Sequence, residues 1–216
     1  MTSGSAIVED MQGLIITIGI LMVWSLWGFF SSNVEQAEYT VLKRAGGYEI
    51  REYPEHIVAQ TTVEGSYNEA LNDGFSIVAR YIFGGNVARE GIAMTAPVTS
   101  SSPSSEKIAM TAPVTSRPEG GSRVIAFVMP KSYTLESLPT PTDPRVTLVK
   151  EPARRMAVLR FSWWRSSDRI RNMESRLLGL LEKDGVVVIG APAYAGYNAP
   201  WTPPWMSRNE IMIEVR

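Results

Sequence analysis

The chain has 216 residues, of which 44% are hydrophobic and 20% charged, a composition typical of a globular domain of ordinary size with additional segments. Its formal net charge of −1 provides no bulk attraction to nucleic acid, so we expect no nucleic-acid partner. The absence of cysteine excludes disulfides, thiolate metal ligands and c-type haem attachment.

The first segment with a clear pattern is residues 11–30, which contain no charged side chain. Twenty helical residues span about 30 Å, the hydrocarbon thickness of a bilayer. Trp24 and Trp27 lie towards one end, where an aromatic belt is found in membrane helices. A cleaved signal peptide is the main alternative, but it requires a basic N-terminal region, and Glu9 and Asp10 are the charged residues before the segment.

We therefore predict an N-terminal flank over residues 1–10, an uncleaved transmembrane helix over 11–30 and a polar linker over 31–38. The protein would then be a single-pass membrane protein. The first basic residues after the helix are Lys43 and Arg44, which favour a cytoplasmic location for the globular domain by the positive-inside rule.

The globular domain begins with two alternating segments, 48–53 and 57–63, which Pro54 separates and which predict a β-hairpin. Ser66 and Glu69 form a capping-box pattern that predicts the start of a helix. Its apolar stripe comprises Tyr67, Ala70, Leu71, Gly74, Phe75, Val78, Tyr81 and Ile82, and Gly84-Gly85 ends it. A glycine inside a helix costs about 1 kcal/mol, so Gly74 indicates close approach of a strand or, alternatively, a ligand plane packed against it.

The sequence Ile-Ala-Met-Thr-Ala-Pro-Val-Thr-Ser occurs twice, at residues 92–100 and 108–116. Isoleucine, threonine and valine favour extended backbone, and proline belongs at a strand edge or end. The simpler interpretation is two adjacent strands joined by a loop. The alternative is that the repeat lines a site, where Met94 or Met110 supplies a polarizable wall or a sulfur ligand.

The second half of the domain repeats the order of the first. After a strand predicted at 123–129, which belongs to the first half, strands are predicted at 146–150, 156–163, 186–189, 193–197 and 210–215, and a helix follows Ser166 and ends at Gly185. Pro54 and Pro152 hold equivalent places. We predict an α+β fold over residues 39–216, in which duplicated β-β-α-β-β units form a distorted antiparallel β-barrel with two packed helices.

Four groups of residues together resemble a known family. They are Tyr48-Glu49-Ile50-Arg51 with Tyr53-Pro54; Tyr67, Ala70, Gly74-Phe75 and Tyr81-Ile82 with Gly84 and Asn86; Met94-Thr95-Ala96-Pro97-Val98; and Ala195-Gly196-Tyr197-Asn198 with Pro200-Trp201 and Arg208-Asn209-Glu210. In this order they resemble the SOUL/haem-binding protein family. The resemblance implies two helices on a curved antiparallel sheet, similar in shape to effector-binding domains of some bacterial transcription regulators. It also implies non-covalent binding of haem or another tetrapyrrole in an apolar groove beside the first helix.

His56 is the single histidine of the chain and the candidate metal ligand. In some family members the proposed axial histidine directly follows the Tyr-Glu-Ile-Arg segment, where this chain has Glu52. His56 could replace it only if the turn brings it to the groove; the alternative is a turn histidine without that role. The candidate cofactor-binding residues are His56, Tyr67, Leu71, Phe75, Met94, Met110 and Arg80, the last as a partner for a propionate. Apolar contact and propionate pairing without an axial bond fit the sequence equally well.

Catalytic patterns are absent from the sequence. It contains no nucleophile–base pair, no histidine pair for a metal and no phosphate loop, so we predict that the protein is not an enzyme. Two functions remain. One is a membrane-tethered tetrapyrrole-binding protein that carries, buffers or senses haem. The other is a membrane-tethered effector- or protein-binding module that does not use haem.

Overall fold

A nine-stranded antiparallel sheet is the framework of the domain in the computed structural model, which describes residues 34–88, 105–199 and 202–216. The helices are α1 (Tyr67–Ile82) and α2 (Ser167–Lys183). The strands are β1 (Glu35–Gln36), β2 (Thr40–Ala45), β3 (Tyr48–Tyr53), β4 (His56–Val63), β5 (Asn86–Val87), β6 (Thr111–Ala112), β7 (Val114–Glu119), β8 (Ser122–Val128), β9 (Thr140–Pro141), β10 (Thr147–Glu151), β11 (Arg154–Phe161), β12 (Ala193–Gly196) and β13 (Asn209–Glu214).

The strand order of the large sheet is β10-β4-β8-β7-β12-β13-β11-β3-β2. Apart from the terminal β2, this order is symmetric about the β7–β12 pair, with β8 matching β13, β4 matching β11 and β10 matching β3. The two helices and the curled antiparallel sheet confirm the predicted α+β, barrel-like class. The symmetric order agrees with the strand–proline–strand–helix pattern that the sequence repeats.

The predicted hairpin of residues 48–53 and 57–63 is wrong. Both strands form, but β3 pairs with β2 and β11, whereas β4 pairs with β8 and β10. Tyr53 lies opposite Arg154, and His56 lies opposite Glu151. The first strand of each half therefore pairs with the second strand of the other half: β3 with β11, and β10 with β4. Alternation of apolar residues identifies a strand but carries no information about its partner, which is why sequence reading chose the nearest segment.

Local signals place the helix ends where the sequence predicts them. The backbone N–H of Ser66 donates to Glu69 Oε2 at 3.1 Å, which completes the capping box of α1. Ser166 Oγ accepts from the backbone N–H of Arg169 at 3.3 Å at the start of α2. Gly185 has a φ of +66°, the left-handed conformation that commonly follows a helix.

The two helices cover separate parts of one face of the sheet. On β8, Ile125 and Phe127 belong to the core under α1, while Ala126 and Val128 point to the other side. On β13, Ile211 and Ile213 belong to the core under α2. Gly74 lies against Ile125, where an added Cβ would be 2.3 Å from Ile125 Cγ1. The expected close approach of a strand at this glycine is confirmed.

The face away from the helices, called here the opposite face, is partly covered by residues 34–39. β1 pairs with β6 in parallel, and the N–H of Ala37 donates to the carbonyl of Ala112 at 2.8 Å. Residues 34–38 of the predicted linker therefore pack on the domain. A buried ion cluster lies beneath this segment: Glu210 accepts from Arg51 Nη1 at 3.0 Å and from Arg208 Nε at 2.9 Å.

Burial of the Arg51 guanidinium lowers its pKa, but the Glu210 carboxylate, Tyr53 and Glu49 together outweigh that effect and the net shift of the pKa is upwards. The Arg51 guanidinium therefore stays charged at neutral pH. A fully buried carboxylate that holds two arginines fixes the N-terminal segment onto the opposite face, because Arg208 Nη1 also donates to Gln36 Oε1 at 2.7 Å.

Three other sequence predictions have mixed outcomes. Residues 186–189 do not form the predicted strand, because Val188 makes a single bridge to Val215. The second repeat copy contributes β6 and the start of β7 on either side of Pro113, whereas the first copy, 92–100, lies outside the described residues. The same holds for the predicted membrane helix at 11–30; within the part of the chain that is described, no helix has the length and apolar character to cross a bilayer.

Candidate functional site

An open groove lies on the helix face of the sheet, between α1 and the middle strands. Because α1 packs on β4 and β8, and α2 on β11 and β13, the central β7–β12 pair is left partly uncovered. The groove has a volume of about 280 Å³. It is lined by Leu71, Asn72, Phe75, Ser76, Val114, Arg165, Tyr194, Gly196 and Asn198.

The apolar wall of the groove comes from α1. Leu71 and Phe75 are four residues apart and therefore project from the same face of the helix. The ring of Phe75 lies 5.2 Å from that of Phe127 in a tilted arrangement, which anchors this wall to the sheet. The structure thus brings together two of the predicted site residues.

The floor of the groove is formed by the facing pair Val114 and Gly196. A Cβ at Gly196 would lie 3.0 Å from the Tyr194 hydroxyl, so the absence of a side chain at Gly196 avoids a steric overlap with Tyr194. Tyr194 donates to Asn209 Oδ1 at 2.7 Å, and burial raises its pKa to about 12. The floor is therefore neutral at physiological pH.

Cationic groups lie at the other side of the groove. Arg165, exposed on the loop before α2, lines it directly. The guanidinium of Arg123 lies 4.5 Å from the ring centre of Tyr67, one turn before Leu71 on α1. The Tyr67 hydroxyl is buried with no hydrogen-bond partner among the described residues, and burial raises its pKa. Tyr67 is therefore a neutral phenol that can still donate a hydrogen bond.

Other predicted site residues lie elsewhere. Arg80 is exposed on the last turn of α1, where its charge acts on Asp143. Met110 is 36% exposed and does not line the groove. Met94 lies outside the described residues. Val114, in the second copy of the repeat, lines the groove, as one of the two interpretations of the repeat expected, whereas sequence reasoning missed Tyr194, Asn198 and Arg165 as groove residues. The Ala195-Gly196-Tyr197-Asn198 motif could have indicated Tyr194 and Asn198, because it overlaps the strand that carries Tyr194 and ends just before Asn198.

His56 lies on the opposite face, in the wall shared by two cavities. Its Nδ1 is 2.9 Å from the carbonyl oxygen of Pro54. The larger cavity, of about 580 Å³, is bordered by four glutamates (Glu35, Glu38, Glu55 and Glu136) and by Lys131 and Lys150. Lys131 pairs with Glu38, and Lys150 pairs with Glu55 at 2.6 Å. The sheet thus separates His56 from Leu71 and Phe75.

Within the described residues, no group of three or more His, Asp or Glu side chains could hold a metal ion. The groove therefore offers apolar contact, hydrogen-bond donors and one lining arginine for a flat, anionic organic ligand.

The chain is thus an α+β domain in which two helices pack on one face of a curled sheet and leave a groove between them. The sequence profile described as SOUL heme-binding protein matches residues 34–105 and 100–214, so the chain belongs to the SOUL heme-binding protein family. Human "Heme-binding protein 2" is 29% identical over 162 residues, which are 72% of each protein. Membership in this family supports non-covalent haem as the ligand.

Two solved structures share the fold. The crystal structure of the EcmrR C-terminal domain aligns with a TM-score of 0.55 at 12% identity, over 82% of this chain and 98% of that one. The cryo-EM structure of an EcmrR–DNA complex in EcmrR-RPo gives a TM-score of 0.51 at 14% identity, over 97% and 71% of the respective chains. At such identities the likeness concerns the fold alone.

Proposed function

We propose that the protein binds haem or a related tetrapyrrole non-covalently in the groove between α1 and the β7–β12 pair. The observation that carries the proposal is the apolar wall of Leu71 and Phe75 facing a neutral floor, with Arg165 at the rim. A volume of about 280 Å³ is just below the usual range of ligand pockets, about 300–1,000 Å³, so part of a bound tetrapyrrole would remain in solvent.

Charge favours this groove over the larger cavity on the opposite face. A haem carries two propionates, and its binding site must therefore receive negative charge. The groove is lined by one arginine and no carboxylate. The cavity beside His56 has four glutamates against two lysines, and both lysines already pair with glutamates. Like charge would repel the propionates there.

The proposed binding mode needs no axial histidine. Haem in the groove would be held by contact with Leu71 and Phe75 and by pairing of a propionate with Arg165, and the Tyr67 hydroxyl is a further donor nearby. An iron bond to His56 requires binding on the opposite face instead. A His56 variant therefore tests which face of the sheet binds haem.

We further propose that this binding serves carriage, buffering or sensing of haem at a membrane, with residues 11–30 as the anchor. The support is the uncharged segment of the sequence, which is long enough to span a bilayer.

The test is a haemin titration of the full chain in detergent, followed by Soret absorbance. Leu71→Ser is expected to weaken binding about tenfold through about 1.4 kcal/mol of lost apolar contact. Arg165→Gln is expected to weaken it a few-fold, since an exposed ion pair contributes about 1 kcal/mol or less. Arg80→Gln is the matched control on the same helix and should bind as the unmodified chain does.

The outcomes separate the alternatives. Loss of the Soret shift in His56→Ala, with Leu71→Ser unaffected, would move the site to the opposite face and contradict the groove. A weak, non-saturating response of the unmodified chain would exclude haem as the ligand. The effector- or protein-binding module would then be the remaining function.

A further inference from the structure

Three tryptophans are exposed at one end of the sheet. Trp163 and Trp164 lie on the loop between β11 and α2 and are 51% and 67% exposed, and Trp205 lies in the short 3-10 helix Pro204–Met206 and is 40% exposed. The N–H of Trp163 donates to the carbonyl of Pro204 at 2.8 Å, so the two loops are in direct contact. We call these three residues the tryptophan cluster. Large apolar side chains that are exposed together mark a contact surface.

The cluster is held in place by its backbone rather than by burial. Trp163 has a φ of +79°, a conformation that a bulky residue adopts only when its surroundings enforce it. Its carbonyl accepts from Asn209 Nδ2 and from Ser207 Oγ, both at 3.2 Å. The protein therefore maintains a strained backbone whose result is that indole rings project into solvent.

Positive charge surrounds the cluster. Residues 160–171 contain four arginines and one aspartate, and that aspartate, Asp168, pairs with Arg171. Arg165 directly follows Trp164 and is exposed, and Arg160 is exposed on the strand that leads to Trp163. Tryptophan with neighbouring arginine is the combination found where proteins meet the headgroup region of a bilayer: the indole body enters the apolar boundary while its N–H and the cations stay hydrated.

The N-terminal segment approaches the same end of the sheet. Gln36 bonds Arg208, which directly follows Ser207, the residue that bonds the carbonyl of Trp163. Residues 31–33 separate the predicted membrane helix from Val34, and three extended residues reach about 10 Å. If residues 11–30 cross a bilayer, the end of the domain that carries the tryptophan cluster is therefore the one that such a short connection can hold against the membrane.

We propose that the tryptophan cluster and its arginines form a docking surface for a phospholipid bilayer. The domain then rests on the membrane in one fixed orientation, with its tryptophan end towards the lipid. The β7–β8 hairpin lies at the opposite end, because β7 runs away from the cluster for about 17 Å between Val114 and Glu119. Arg165 belongs both to this surface and to the rim of the groove, so the groove would lie near the membrane boundary.

The chain has no cysteine, so a single introduced cysteine can carry an environment-sensitive fluorophore in the full-length protein. Trp164→Cys places the probe in the cluster, and because Trp164 is 67% exposed the exchange removes little packing. Glu119→Cys is the matched control at the exposed opposite end. Each labelled protein is added to vesicles of phosphatidylcholine and phosphatidylglycerol that contain a spin-labelled lipid as quencher.

We expect a blue shift and strong loss of emission at position 164 and neither change at position 119. Equal responses at both positions, whether both quenched or both unchanged, would overturn the proposal. Haemin titration of the same labelled proteins in detergent is a separate measurement, so failure of the docking surface can be distinguished from failure of the haem site.

Discussion

Replacing Gly74 by alanine tests how closely α1 sits on the sheet. The added Cβ would lie 2.3 Å from Cγ1 and 2.8 Å from Cβ of Ile125, and 3.3 Å from Cγ2 of Val63. Carbon atoms in contact are normally about 3.5–4.0 Å apart. Because Ile125 is fully buried and the nearest atoms are close to its branch point, the side chain has no room to rotate away. The helix must move about 1 Å off the sheet.

Two effects of opposite sign decide the stability of Gly74→Ala. Alanine is favoured over glycine inside a helix by about 1 kcal/mol. Overpacking a close-packed core costs about 1–3 kcal/mol, and the overlap here is severe enough to place the cost at the upper end. We expect a net destabilisation of about 2 kcal/mol, which lowers the melting temperature by about 4–8 °C for a domain of this size.

Gly179 in α2 is the matched control. It is also inside a helix, but a Cβ there would meet nothing within 4 Å, so Gly179→Ala should stabilise the protein by about 1 kcal/mol. Urea denaturation followed by circular dichroism measures both variants. If Gly74→Ala stabilises the protein as Gly179→Ala does, the close helix–sheet contact is wrong.

A double-mutant cycle adds a second check on the same contact. Ile125→Ala removes the atom that the new Cβ would approach most closely, so the double variant should lose less stability than the sum of the single variants. Gly74→Ala should also weaken haem binding, because the same shift of α1 moves Leu71 and Phe75 relative to the floor of the groove. An additive cycle with unchanged haem affinity would contradict the reasoning.

Three further outcomes are expected. Glu210→Gln leaves the partly buried Arg208 without its carboxylate and the buried Arg51 with Glu49 alone, and it should destabilise by about 3–5 kcal/mol in urea denaturation, whereas Glu55→Ala, at an exposed pair, should change stability by less than about 1 kcal/mol. Tyr67→Phe removes a buried hydroxyl without a partner and should leave the melting temperature unchanged or raise it; a clear drop would mean that the hydroxyl is bonded. Hydrogen bonds from the Ser66 side chain and backbone lower the pKa of Glu69, so its stabilisation is present above the unfolded-state pKa and is lost as pH falls through the lower folded pKa. Thermal melts of Glu69→Ala and the unmodified chain should therefore differ at pH 7 and converge in acid.

Local structure was predictable because its causes are local. The capping box at Ser66, the apolar stripe of α1 and the helix end at Gly185 depend on residues within one or two turns of each other. Gly74 was informative for a similar reason: a glycine that weakens its own helix requires a tertiary explanation, and the contact with Ile125 supplies it.

The site was only partly predictable. Leu71 and Phe75 follow from the helix periodicity and the family motifs, and the structure places both in the groove. Val114 and Arg165 lie about 40 and 90 residues further along the chain; strand pairing brings Val114 to the groove, and the loop before α2 brings Arg165. His56 could not be placed from sequence, because its side depends on the parity of a strand and a one-residue change of register moves a side chain to the other face.

The amino-acid sequence by itself determined both helices and most strands of the large sheet, their duplication, the family and the uncharged segment at residues 11–30, since each depends on the order and spacing of nearby residues. Only the tertiary structure decided that β3 crosses to β11, that the groove opens between the helices and that His56 lies behind the sheet from it. The tryptophan cluster likewise exists only because two loops about 40 residues apart in the chain are joined by a hydrogen bond. Pairing between distant strands and loops depends on the global packing of the chain, which no local pattern encodes.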